Sequence, residues 1–297
     1  MIATSTNIYL YVYKMIIFPC AKINLGLNIV SRREDGYHNL QTVFYPIPIY
    51  DALEIKLMSE RFPSDVKCDL KITGNAIQCN ENENLVVKAY NKIAADFDIP
   101  RIHAHLHKTI PSEAGLGGGS SDAAYMIRIL DERFRLNIGN AEMEKYALQL
   151  GADCPFFITS EPAYAEGVGE KLSPAKICEN NLKGMSLVVV KPQIAVSTKE
   201  AFSLITPKVP DYNCQDIVRK PLTEWKGLLK NDFEESVFQL YPELHEIKQR
   251  LYHLGATYAQ MSGSGSSIFG IFRHLNDADA AKIKGGFGNC ITFTMLL

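Results

Sequence analysis

Residues 22–30, KINLGLNIV, alternate strictly between apolar and polar positions. Ile23, Leu25, Leu27 and Ile29 fall on one side, and Lys22, Asn24, Gly26 and Asn28 on the other. This period of two predicts a strand with one buried and one polar face. A turn at Glu34-Asp35-Gly36 follows, then a β-branched and aromatic run from Thr42 to Tyr45. Further strands are expected over 52–57, 68–73 and 101–108; in the last, Ile102, Ala104 and Leu106 oppose His103, His105 and His107. Asn82 or Asn84 is placed to cap a helix over 85–97. Helical spacing recurs over 120–134 and over 141–150, where Gly151 is expected to end the helix through a positive φ. Beyond about 175 the pattern predicts a strand (186–191), helices over 198–205, 222–230 and 233–254, strands over 257–262 and 267–273, a helix (276–284) and a strand (290–295). The whole reads as an α+β fold in two layers, without a fixed repeat period. The Pro- and Asn-rich stretch near 174–184 is the expected domain boundary.

The length of 297 residues fits two domains at roughly 150 residues each. Thirty-one basic against 33 acidic side chains leave a net charge of −2, with no excess to draw the chain onto nucleic acid or an anionic membrane. Apolar residues at 46 % and charged residues at 22 % exclude a disordered or collagen-like chain. The seven cysteines are scattered, odd in number and nowhere spaced C-x-x-C. That argues against a disulfide framework or Cys-rich zinc site, and for a soluble protein of the reducing cytoplasm. Residues 7–18, NIYLYVYKMIIF, are apolar but carry Lys14. They are shorter than the ~20 residues of a membrane-spanning helix and lack the marks of a signal peptide. Residues 1–14 are read as an appendage, with Met15 as an alternative start.

The strongest local chemistry lies in Pro111-Ser112-Glu113-Ala114-Gly115-Leu116-Gly117-Gly118-Gly119-Ser120-Ser121. Glycine in a regular element costs about 0.5–1 kcal/mol relative to alanine. Four in five residues make sense where backbone must approach a ligand closely. The segment runs into a helix, so unpaired N–H groups and the positive end of the helix dipole make an anion site suited to phosphates. It is neither a Walker loop nor a dinucleotide fingerprint. A flexible linker would need neither the strand before it nor the helix after it. Lys22 and Asn24 share a strand face, which alone reads as a solvated edge. In Gly151-Ala152-Asp153-Cys154-Pro155-Phe156-Phe157, an acid beside apolar residues either pairs with a partner or caps a turn. Asp35-Gly36-Tyr37-His38 offers an aromatic plane and a two-sided hydrogen-bonding ring, suited to a nucleobase or to an ordinary surface turn. The three histidines of 101–108 read as an exposed strand face rather than a metal site, since no carboxylate lies near them in sequence. Ser262-Gly263-Ser264-Gly265-Ser266-Ser267 is a tight hairpin or a second backbone clamp on an anion.

PCAKINLGLNI, DGYHNLQT, PSEAGLGGGSSDAA, GADCPFF and MSGSGSSIF, in this order over about residues 15–297, resemble the galactokinase, homoserine kinase, mevalonate kinase and phosphomevalonate kinase (GHMP) superfamily. The glycine loop and the Ser-Gly stretch mark the superfamily. The Lys22–Asn24 strand, the Tyr37-His38 turn and the Gly151–Phe157 block narrow the likeness to its branch acting on a cytidine-diphosphate-linked methylerythritol. The resemblance implies an ATP-binding N-terminal domain like ribosomal protein S5 domain 2 over 15–175, and a ferredoxin-like C-terminal domain over 176–297. It implies ATP-dependent phosphorylation of the 2-hydroxyl of that small-molecule substrate, with Mg²⁺, in the non-mevalonate route to isoprenoid precursors. It implies Lys22 and Asp153 as the catalytic pair, and Pro111 through Ser121 (Pro111, Ser112, Glu113, Ala114, Gly115, Leu116, Gly117, Gly118, Gly119, Ser120, Ser121) as the holders of ATP phosphates. Asn84 and Lys108 would lie near adenosine. Asn24, Tyr37, His38, Thr198 and Phe202 would form the substrate site, with Tyr37 and Phe202 stacking on cytosine and His38 hydrogen-bonding it. No nucleic-acid or membrane partner is expected, and the state is monomer or homodimer. Ser112-Glu113-Ala114 is more polar than the usual pattern, and the N-terminal extension is unusual. A mevalonate- or homoserine-type kinase would share the glycine loop without the Tyr37-His38 site, and a non-catalytic sensor would be expected to lose Lys22 or Asp153.

Overall fold

A computed structural model describes residues 15–63, 65–75, 83–178 and 182–297. The N-terminal appendage (1–14) and the candidate cap Asn82 lie outside the described residues. In chain order the elements are β1 (Met15–Ile17), β2 (Cys20–Arg32), β3 (His38–Tyr50), β4 (Ala52–Leu57), β5 (Cys68–Gly74), α1 (Leu85–Asp96), β6 (Ile102–Lys108), α2 (Gly118–Phe134), α3 (Asn140–Leu148) and α4 (Phe156–Thr159). Then follow β7 (Ala163–Glu166), β8 (Lys171–Pro174), β9 (Ser186–Lys191), α5 (Thr198–Ser203), α6 (Cys214–Ile217), α7 (Phe233–Leu240), α8 (Pro242–His253), β10 (Tyr258–Met261), β11 (Ile268–Phe272), α9 (Asp277–Gly285) and β12 (Ile291–Leu296). Among the described residues no helix is long and apolar enough to cross a membrane.

The chain divides into two compact units that interleave in sequence. The first comprises residues up to Pro19, Tyr50–Thr109 and Gly119–Ile158. Its sheet has the order β1-β4-β6-β5, with β5 parallel to β6 and the other pairs antiparallel. Asn84 caps α1 by accepting from Val86 N at 2.9 Å. The apolar positions of β6 are buried as its alternation requires. On the opposite face His103 Nδ1 lies 2.6 Å from Asp69 Oδ2, a carboxylate brought across by the β5–β6 pairing. His105 and His107 share the Thr73 hydroxyl at 2.9 and 3.0 Å. Among the described residues no three His, Cys, Asp or Glu side chains form a group able to hold a metal.

The second unit comprises Cys20–Ile49, Ile110–Gly118 and Thr159–Leu297. It contains the sheets β2-β3-β7-β8 and β10-β11-β9-β12. Every residue of β9 is buried, and its two faces serve two cores. Leu187 and Val189 join Ile23, Leu25, Val43, Trp225, Tyr258 and Phe269. Val188 and Val190 join Leu27, Ile29, Phe233, Val237 and Leu251. β2 crosses from the first core to the second at Gly26, whose φ is +72°. A Cβ there would stand 2.6 Å from Leu229 Cδ1, so both backbone and space require glycine.

Several expectations are corrected. The polar side of β2 is not a solvated edge: Lys22 is 3 % exposed and Asn24 1 %. Residues 222–230 make only a 3₁₀ turn (Leu222–Glu224) followed by turns, with Gly227 at φ +87°, and the α-helical turn lies earlier, at α6. Gly151 does not end its helix through a positive φ. Gln149 caps α3 in the right-handed region, and Gly151 N reaches Ala147 O at 3.3 Å. The short β7 and β8 were not predicted, because four residues carry too little periodicity to register.

Candidate active site

In the second unit Lys22 Nζ donates to Asn24 Oδ1 at 2.7 Å and lies 5.0 Å from the centroid of the Phe44 ring. Period two puts both side chains on one face of β2. Asn24 Nδ2 donates to Thr42 Oγ1 at 2.9 Å, and the Thr42 hydroxyl donates onward to Gly26 O at 2.6 Å. Asn24 N donates to Ser262 Oγ at 3.3 Å, and the Ser262 hydroxyl donates to Gly115 O at 2.8 Å. Gly26 N donates to Gln260 Oε1 at 2.9 Å. This is a buried polar network, and such groups keep their place only when each finds a partner.

The network grips the glycine loop. Pro111, Ala114 and Leu116 are buried anchors, while Ser112, Glu113 and Gly119 are exposed. Lys22 N donates to Leu116 O at 2.9 Å and Ser267 N to Ala114 O at 3.2 Å. A Cβ on Gly115 would lie 2.0 Å from Ser262 O, so the two glycine-rich loops touch backbone to backbone. The Ser262–Ser267 stretch is therefore a brace for the first loop as well as a link between β10 and β11. Glu113, Gly115 and Gly117 have φ of 49°, 70° and 72°. Left-handed residues at every second position, with none at Ala114 or Leu116, are the backbone pattern in which anion nests form. Glu113 adds a negative charge that raises the proton affinity of Lys191, whereas burial lowers it more strongly. Lys191 Nζ donates to Pro192 O and Ile194 O at 2.9 and 2.8 Å.

In the first unit α2 begins directly after the loop and carries Ser120 and Ser121 in its first turn, with no acid there. Asp153 is half-buried in the turn before α4. Its neighbour Cys154 is buried, its thiol pushed up to about 12 chiefly by that burial, with a hydrogen bond to Ser120 acting the other way. The turn that presents Asp153 is thus pinned to the start of α2. The side chain of Asn84 is occupied as a helix cap. The Lys108 ammonium is buried and held by Asp51 and Asp122, and its carbonyl accepts from Asn75 N at 2.9 Å.

Of the expected substrate residues in the second unit, the structure brings together His38 and Phe202, stacked at 4.6 Å with 12° between planes. Tyr37 is 66 % exposed. Thr198 Oγ1 lies 3.4 Å from Ser264 Oγ, which joins this region to the Ser-Gly loop. Burial and, secondly, the Arg32 charge lower the affinity of His38 for a proton. The neutral ring so favoured has one donor and one acceptor.

This fold and loop define a class. The family described as GHMP kinases N terminal domain matches residues 84–161, and GHMP kinases C terminal matches 215–284. A homoserine kinase from Cytophaga hutchinsonii shares the fold at a TM-score of 0.67 with 16 % identity, covering 99 % of this chain and 96 % of the other. Within the class the likeness is much closer to one branch. A 4-diphosphocytidyl-2-C-methyl-D-erythritol kinase of Bacteroides fragilis is 53 % identical over 258 residues, covering 87 % of this chain and 92 % of the relative. One from Porphyromonas gingivalis is 44 % identical, covering 92 % and 97 %. A crystal structure of 4-(cytidine 5'-diphospho)-2C-methyl-D-erythritol kinase superposes with a TM-score of 0.76 at 31 % identity, covering 95 % of this chain and all of that one. The chain belongs to the 4-diphosphocytidyl-2-C-methyl-D-erythritol kinase family of GHMP kinases, with their N- and C-terminal domains.

Sequence reading missed Asn231, Gln260 and Thr42, which join elements far apart in the chain and carry no local pattern. Asn231 Nδ2 donates to Met261 O and Gly263 O, both at 2.8 Å, and its Oδ1 accepts from Phe233 N at 3.0 Å. Asn231→Ala leaves three buried backbone groups without that partner. At about 1–3 kcal/mol for an unsatisfied buried group, we expect a stability loss of at least about 2 kcal/mol in urea denaturation. A loss under about 0.5 kcal/mol would show that water replaces the amide without cost.

Proposed function

We propose that this chain transfers the γ-phosphoryl group of ATP to the 2-hydroxyl of 4-diphosphocytidyl-2-C-methyl-D-erythritol, in the non-mevalonate route to isoprenoid precursors. The observation that carries the reading is the tie between Lys22 and the glycine loop: the Lys22 backbone holds Leu116 while its ammonium is oriented by Asn24. A cation fixed beside an anion nest suits a reaction in which positioning and charge stabilisation dominate. The names of the close relatives favour the same substrate.

ATP supplies the phosphoryl group, and Mg²⁺ on its phosphates offsets their charge. The described residues form no cage of three metal-ligating side chains, so the ion we propose arrives with the nucleotide. Loop N–H groups from Pro111–Ser121 orient the phosphates, within a nucleotide-binding region over 15–175. Lys22 stabilises charge on the moving group. Asp153 accepts the proton of the attacking hydroxyl, and late proton transfer demands only modest basicity. Asn24 already serves Lys22 and Thr42 with its two carboxamide ends, so its contribution is to aim Lys22 toward the acceptor. Phe202 and Tyr37 stack on cytosine. Neutral His38 exchanges hydrogen bonds with the base edge, which requires it to leave the face of Phe202 that it covers here. Such stacking is worth about 1–3 kcal/mol per base. We place the reaction in the cytoplasm.

The direct test is ADP release with a panel of acceptors. We expect rapid turnover with the cytidine-linked methylerythritol and background rates with mevalonate and homoserine. Comparable rates with either of the latter would overturn the substrate assignment.

A double-mutant cycle tests the catalytic pair. General-base catalysis is worth about 10²–10⁴-fold, so Asp153→Asn and Lys22→Ala should each lower kcat by at least about 100-fold. The double variant should be little worse than the worse single one, because groups acting as a unit are not additive. Nucleotide affinity should survive in Asp153→Asn. Fully additive losses would mean that the two residues serve different steps.

A further inference from the structure

The first unit buries three charged side chains that the proposed chemistry leaves without a role. Asp51, Lys108 and Asp122 are each 2 % exposed or less. Lys108 Nζ donates to Asp51 Oδ2 and, at 2.6 Å, to Asp122 Oδ2. Asp51 Oδ1 accepts from Thr109 N at 2.6 Å. Both Asp51 oxygens therefore have donors, and Asp51 with Lys108 makes a satisfied ion pair. Asp122 differs: its Oδ1 is buried with no hydrogen-bond partner, as is the Oγ of adjacent Ser121.

One cation cannot neutralise two buried carboxylates. An ionised carboxylate with a bare buried oxygen is costly, so the proton that removes the surplus charge goes where donors are fewest. That is Asp122. Burial is the main cause that pushes its carboxyl up to about 7; Asp51 adds to this and Lys108 opposes it. Asp51 also lies within hydrogen-bonding reach of the Asp122 proton. These are the charged groups facing Asp122: Lys108 from β6 and Asp51 from the β3–β4 junction.

Position gives the cluster its meaning. Asp122 is one residue beyond the Ser120-Ser121 pair of α2, the helix that opens out of the glycine loop. The ion cluster thus clamps the start of α2 to the ends of β4 and β6. A surplus negative charge just behind a helix N-terminus opposes the anion that this end attracts.

We propose that Asp122 is a positioning residue for the nucleotide phosphates, holding the first turn of α2 through Lys108 and Asp51, and that phosphate binding and a proton on Asp122 favour each other. The proposal rests on the ATP reading above. By linkage, whatever anion favours the neutral carboxyl is itself bound more tightly when that carboxyl is neutral. As pH rises through the neutral range, free enzyme loses the Asp122 proton and nucleotide affinity falls. At fixed neutral pH, binding draws a fraction of a proton from solution.

Asp122→Asn tests this, because the amide keeps an oxygen for Lys108 and is neutral at every pH. The probe is Mg·ADP, titrated calorimetrically from about pH 6.5 to 8.5 in two buffers of different ionisation enthalpy, alongside KM for ATP and kcat. We expect wild-type affinity to fall by about threefold or more across that range, with proton uptake near neutrality. Asp122→Asn should lose both the slope and the uptake, with KM for ATP moving and kcat nearly constant. A purely structural role would lower the melting temperature and leave slope and uptake as in wild type. That result overturns the proposal while leaving the kinase reading intact. If wild type binds no nucleotide, both fall together.

Discussion

A backbone that is to hold an anion with its own N–H groups must be stiff without side chains to stiffen it. This constraint governs the second unit. The glycine loop is fixed through its carbonyls, each of which accepts from outside the loop: Leu116 O from the Lys22 N–H, Ala114 O from the Ser267 N–H and Gly115 O from the Ser262 hydroxyl. Each carbonyl bonded away from the ligand leaves its peptide plane oriented. Gly115 is bare because Ser262 O stands where its Cβ would be. The brace is itself braced, by Asn231 beneath the Ser-Gly loop and by Glu234, which accepts from Met261 N at 2.9 Å.

The same economy runs through the charges. Lys22 is sunk in β2 with Asn24 as partner, and Lys191 is satisfied by two carbonyls rather than a carboxylate. None of these named partners carries a negative charge of its own. In the first unit the balance is opposite. Lys108 is consumed by two acids, and the start of α2 meets a carboxyl rather than a cation.

Much of this was legible in the residues. The alternation of KINLGLNIV gave the strand and its faces, and the glycine run between a strand and a helical pattern gave the loop that joins β6 to α2. What alternation could not say is that both faces of β2 are covered, so its polar residues belong to a buried network. The partners that reveal this, Ser262 and Gln260, lie more than 200 residues downstream. Motif order gave the family, which the relatives bear out. The alternation of the two compact units along the sequence was hidden, because it depends on β2 and β3 pairing with strands that follow α4. The Asp51–Lys108–Asp122 cluster escaped notice for a related reason: Asp51 and Lys108 are 57 positions apart and meet only across the β4–β6 pair.

The central claim is that Ser262 makes the glycine loop a rigid seat for phosphates. Its most direct test is the affinity of Ser262→Ala for Mg·ADP, measured at a temperature where the variant is folded. Losing a hydrogen bond that orients Gly115 should weaken binding by about tenfold, a cost in the range of one buried hydrogen bond. The acceptor should bind as in wild type. Nucleotide affinity within twofold of wild type would contradict the account.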